Sequence, residues 1–86
     1  MMHIRIEEVN HGTIGHVKGA NNIIDWLVDN AWLDSDTRVY NTDRGEWITV
    51  KEYFGNDWKK VLSYKSISEL EDIFDGLFYF YFVPTD

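Results

Sequence analysis

The sequence predicts an α+β fold, a small and mainly antiparallel sheet with two main helices, and three observations predict it. Short segments rich in β-formers lie at both ends of the chain, two internal segments carry apolar residues at helical spacing, and turn chemistry separates them. The expected order is β-α-β-β-(short α)-β-α-β. At 86 residues with a single proline, Pro84, and no repeat or linker, the chain reads as one continuous domain over residues 1–86.

Ile4 and Ile6 alternate with Arg5 and Glu7, the period of a half-buried strand. Asn10-His11-Gly12 follows, and the glycine-rich stretch to Gly19 reads as a turn-rich connection. Asn21 or Asn22 is placed to cap a helix in which Ile24, Leu27, Val28 and Ala31 form one apolar stripe. Asp34-Ser35-Asp36 marks a turn. Two β-like runs, 37–41 and 46–50, flank Asp43-Arg44-Gly45 as a hairpin.

Thr49 with Glu52 has capping-box spacing, which predicts a short helical turn through Tyr53 and Phe54, ended by Gly55. Residues 58–64 fit either period. The alternation of Trp58, Leu62 and Tyr64 favours a strand, since a second capping box, Ser66 with Glu69, follows at once. Its helix carries Ile67, Leu70, Ile73 and Phe74 on one face and stops at Gly76. Residues 77–83 are too short for a helix and rich in β-formers. Phe78, Phe80 and Phe82 share one face, Tyr79 and Tyr81 the other, and so apolar a strand is expected at the centre of the sheet.

Composition excludes several classes of function. Without cysteine there is no disulfide, thiolate metal site or cysteine nucleophile, and the chain fits a reducing compartment. No apolar run spans a bilayer and the amino terminus has no leader character, so the expected location is cytoplasmic. Fifteen acids against eight bases give a net charge of -7, which opposes direct binding to nucleic acid or an anionic membrane and suits a basic protein partner.

No catalytic constellation emerges. His11 and His16 match no metal-ligand spacing, the carboxylate pairs fall on helix faces and turns, and residues 12–19 lack the Gly-Lys-Ser/Thr ending of a phosphate loop. The expectation is a chain with no enzymatic activity, cofactor or metal. The aromatic content is 16%, with four tryptophans, and aromatics left exposed are what peptide-binding surfaces use.

From Ile6 to about Val50 the order of residues resembles the bacterial branch of GYF-like domains. Asn10-His11-Gly12-Thr13-Ile14-Gly15, Ile24 to Leu27 with Trp32-Leu33, Asp36-Thr37-Arg38-Val39-Tyr40 and Gly45-Glu46-Trp47 carry the resemblance. His16 stands where that family has proline, Ile4 and Ile6 stand where it has aromatics, and the rest of the chain has no counterpart in it. The resemblance implies a similar local fold and a role in protein–protein contact.

The leading expectation is therefore a non-catalytic protein-interaction domain binding through an exposed aromatic patch, around Trp32, Tyr40 and Trp47 or around Tyr79 and Tyr81. A second expectation, from another class, is a small acidic inhibitor of the kind phages and mobile elements encode, blocking a basic nucleic-acid-handling enzyme stoichiometrically. It would present carboxylates in place of phosphates, from Asp25, Asp29, Asp34 and Asp36 together with Glu69, Glu71, Asp72 and Asp75.

Overall fold

Alternation of apolar and polar side chains makes His3–Glu8 a strand, β1, whose Ile4 and Ile6 are fully buried. The computed structural model, which describes residues 3–74 and 80–85, places β1 at the centre of a three-stranded antiparallel sheet, between β2 (Gly12–Lys18) and β5 (Phe80–Pro84). The glycine-rich stretch expected as a connection is its hairpin partner, β2 (Gly12–Lys18). The His11 N–H donates to the Glu8 carbonyl at 3.0 Å and Gly12 takes φ 71°, a three-residue loop closed by a left-handed residue. Gly15 is needed for a different reason: a Cβ there would lie 2.1 Å from the Trp26 indole.

A 3-10 turn (Ala20–Asn22) leads into α1 (Ile23–Asp29), which buries Ile23, Ile24 and Leu27. Asn22 occupies the cap position, but its side-chain amide donates back to the Lys18 carbonyl instead of accepting from the helix. The C-terminus is a Schellman motif: Trp32 N–H donates to Leu27 O at 2.8 Å and Ala31 N–H to Val28 O at 3.1 Å, with Ala31 at φ 63°.

β3 (Arg38–Asn41) and β4 (Glu46–Thr49) form a separate two-stranded hairpin, so the strands divide between two small antiparallel sheets. Thr49 then caps α2 (Val50–Phe54), its hydroxyl accepting from the Glu52 N–H at 3.0 Å.

Residues 58–64 are not a strand. Trp58–Ser63 is a helix, α3, that buries Leu62 and half-buries Trp58 and Val61 while Lys59 and Lys60 face outward. A strand burying Trp58 and Leu62 would also turn Lys60 inward, an expensive burial that the helix avoids. The second capping box is reciprocal: Glu69 N–H donates to Ser66 Oγ and Ser66 N–H to Glu69 Oε1, both at 3.2 Å. It starts α4 (Ile67–Phe74), which buries Leu70 and Phe74.

The final strand, β5 (Phe80–Pro84), buries Phe80 and Phe82 as expected but pairs only with β1 among the described residues, so it is an edge strand and not a central one. The edge is blunted on its open side. Ile6 and Phe82 are cross-strand partners, the Phe82 N–H points away from β1 to the Glu71 carboxylate at 3.2 Å, and Pro84 has no N–H to offer. Phe74 meets Phe80 edge-on at 6.0 Å, tying α4 to the sheet. Gly76 as helix stop and Phe78 as core residue lie outside the described residues.

Candidate functional site

Opposite residues of the β3–β4 hairpin share a face, so pairing Tyr40 with Trp47 puts both rings on one side while Val39 and Ile48 enter the core. The hairpin holds that register through its loop. Asn41 Oδ1 accepts from the Asp43 N–H at 2.9 Å, and Gly45, at φ 67°, returns its N–H to the Asn41 carbonyl at 2.8 Å. Tyr40 and Trp47 meet edge-to-face at 5.5 Å and 77° and stay 45% and 43% exposed.

A third aromatic extends this surface. Tyr53 of α2 is 42% exposed and stacks at 4.5 Å on Phe54. Two concavities flank it. One, of about 230 Å³, is lined by Val39, Tyr40, Thr42, Tyr53, Asp72 and Ile73. The other, of about 280 Å³, is lined by Tyr53, Phe54, Lys65, Glu69, Asp72 and Ile73. Tyr53, Asp72 and Ile73 belong to both, so the two adjoin as one groove along these residues.

The other expected patch residues lie elsewhere. Trp32 is half-buried and follows α1 as the apolar residue of the Schellman motif, its ring 5.3 Å from His11 and 6.0 Å from Phe80. Among the described residues it makes no ring contact with Tyr40 or Trp47. Tyr81 is half-exposed on the outer face of β5, beside a shallow recess lined by Glu7, Glu8, Val9 and Gly12. Tyr79 lies outside the described residues, as does Asp75.

Several of the carboxylates considered as a negative surface have partners within the fold. Asp25 pairs with Lys59 at 3.7 Å and Asp34 accepts from the Asp36 N–H at 2.8 Å. Glu69 caps α4 and faces Lys65 at 3.9 Å, and Glu71 holds Phe82. Among the described residues, no hydrogen bond or ion pair engages the carboxylates of Asp29, Asp36 or Asp72.

Among the described residues one charged group is buried, Glu8 at 3% exposure. Burial pushes its pKa up, but N–H donation from Asn10 at 2.8 and 3.0 Å, the His11 Nδ1 contact at 3.2 Å and the His11 charge outweigh that and hold it below the ordinary carboxylate range. Glu8, Asn10 and His11 thus lock the β1–β2 turn. Among the described residues no group of three His, Asp or Glu is placed to hold a metal ion. The cleft between α1 and α3, about 380 Å³, is lined by Asn21, Asn22, Asp25, Lys59, Lys60 and Tyr64 with Ser63. Among the described residues no helix is long and apolar enough to cross a membrane.

Tyr53 and Ile73 were not anticipated as site residues. No local pattern singles them out: Tyr53 lies three residues after the buried Val50, a spacing that puts both on one side of a helix, and Ile73 belongs to the apolar stripe of α4. No protein-family model matches the chain, and neither the curated proteins nor the solved structures contain a significant match.

Proposed function

We propose that this chain is a non-catalytic protein-interaction domain that binds its partner through the surface formed by Tyr40, Trp47 and Tyr53. One observation carries the reading: three large aromatics, each more than two-fifths exposed, are held on a hairpin and a capped helix, Tyr40 and Tyr53 lining a groove and Trp47 standing edge-on to Tyr40. Exposed apolar surface rimmed by polar groups marks interaction sites, and tyrosine and tryptophan give large contact at low entropic cost. The GYF-like order of residues 6–50 points the same way. Trp32 is left out of the proposed surface because its ring packs on His11 and Phe80.

The acidic-inhibitor reading is kept as a second proposal because the chain carries -7 and the Asp29 and Asp36 carboxylates are exposed and unpaired among the described residues. One experiment separates the two. The immobilised protein and its Trp47→Ser and Tyr53→Ser variants are exposed to lysate of the native host and washed through rising salt. A partner that withstands high salt and is lost by both variants supports the aromatic surface. A nucleic-acid enzyme that elutes as salt rises, from the variants as from the parent, overturns it in favour of the carboxylates.

A further inference from the structure

The groove beside Tyr53 has a charge pattern that narrows its occupant. Its two halves share Tyr53, Asp72 and Ile73, so Asp72 lines both recesses beside apolar and aromatic side chains. The other charged groups of the lining are engaged with each other, since Lys65 faces Glu69 at 3.9 Å and Glu69 also holds the Ser66 N–H at 3.2 Å. Asp72 has no hydrogen bond or ion pair among the described residues. The groove therefore carries one uncompensated negative charge common to its two recesses, in a chain whose net charge of -7 already draws cationic partners.

We propose that the groove takes a peptide segment of a partner protein that places a lysine or arginine between two apolar side chains. One apolar side chain enters the recess between Tyr40 and Tyr53, the other enters the recess beside Phe54, and the cation meets Asp72. Recesses of about 230 and 280 Å³ suit single side chains and not a folded surface. Apolar anchors supply the affinity of such a contact, and the charge supplies its selectivity. An acidic residue in the central position would meet the Asp72 carboxylate and be rejected.

The inference rests on the interaction-domain reading, and its test keeps the two apart. A displayed library of random 12-residue peptides is selected against the intact protein, and the selected peptides are resynthesised with Lys, Ala or Glu at the central position. Binding is measured to the parent and to Asp72→Asn, Asp72→Lys and Tyr53→Ser. Asp72 is exposed and unbonded, so both of its variants should fold, which circular dichroism checks. The expected result is enrichment of apolar–basic–apolar peptides whose affinity falls about fivefold or more in Asp72→Asn. Asp72→Lys should then prefer the Glu-centred peptide. Peptides that need Tyr53 but are indifferent to residue 72 overturn the charge selection and leave the aromatic surface standing. A library that yields no peptide dependent on Tyr53 overturns both.

Discussion

The carboxylate of Glu71 on α4 accepts the Phe82 N–H of β5 at 3.2 Å, across eleven residues of chain. That bond occupies the donor an edge strand would otherwise offer to another chain, and Pro84 removes the next one along. Glu71→Ala should lower stability by about 1–2 kcal/mol, the scale of a half-buried hydrogen bond to a charged acceptor. For a chain of this size that is a melting-temperature drop of about 5–10 °C. Glu71→Gln keeps an acceptor oxygen and should lose less. Self-association of the Ala variant, followed by light scattering, should rise with concentration. An Ala variant that melts with the parent and stays monomeric would show that the bond protects nothing.

Ala31 ends α1 at φ 63°, a conformation that costs a residue with a Cβ about 1–2 kcal/mol and glycine almost nothing. Glycine also carries more chain entropy in the unfolded state, which offsets part of the gain. Ala31→Gly should therefore stabilise the protein by about 0.5–1 kcal/mol. Urea unfolding measures this directly. A fall in midpoint, with an unchanged slope, would mean the Schellman turn is not the native end of this helix.

Glu8 and Glu69 are both held below the ordinary glutamate range: Glu8 by the Asn10 N–H and His11 acting against its burial, Glu69 by hydrogen bonding with Ser66 and, more weakly, by Lys65. A carboxyl with a lower pKa in the folded state adds stability that is complete above its unfolded value, about 4.3 for Glu. That stability is lost as pH falls through the folded value. Urea midpoints measured from about pH 6 downward should stay level and then decline below about 4.3. Glu8→Gln should flatten part of that decline, at the cost of a lower midpoint near neutrality. A decline as steep as the parent's would assign the acid sensitivity to other carboxylates.

Much of the fold is legible locally, and what is not depends on contacts between distant segments. Periodicity places α1, α4, β1 and the β3–β4 hairpin, and capping chemistry places Thr49 and Ser66. Residues 58–64 were separable too, because Lys60 breaks the strand pattern that Trp58 and Leu62 suggest. The parity of β1 puts Glu8 on the same side as Ile4 and Ile6, yet a charge at that place is buried only because the turn brings Asn10 and His11 to it. Within β5 only Pro84, which cannot donate to a second neighbouring strand, signals the edge position. It is tolerated because α4 brings Glu71 alongside, a packing event that no local pattern encodes. The groove has the same character: Tyr40, Tyr53 and Asp72 come from three elements that only the tertiary fold joins.

Tyr40 and Trp47 meet edge-to-face at 5.5 Å, and such a pair has two uses that measurement can separate. As a cross-strand pair it stabilises the hairpin, by about 0.5–1.5 kcal/mol beyond its buried area. As the centre of an interface, each ring would be worth about 2 kcal/mol or more to binding, close to 30-fold in affinity. Tyr40→Ser, Trp47→Ser and the double variant form a cycle in which both quantities are read, stability from urea unfolding and affinity from titration with a selected peptide. The stability coupling should stay near 1 kcal/mol, because both rings already lie more than two-fifths in solvent. The affinity loss should exceed it in each single variant, at temperatures where the variants are fully folded. Losses in affinity that only track the fraction unfolded would reduce the pair to a hairpin clamp and move the binding surface away from this hairpin.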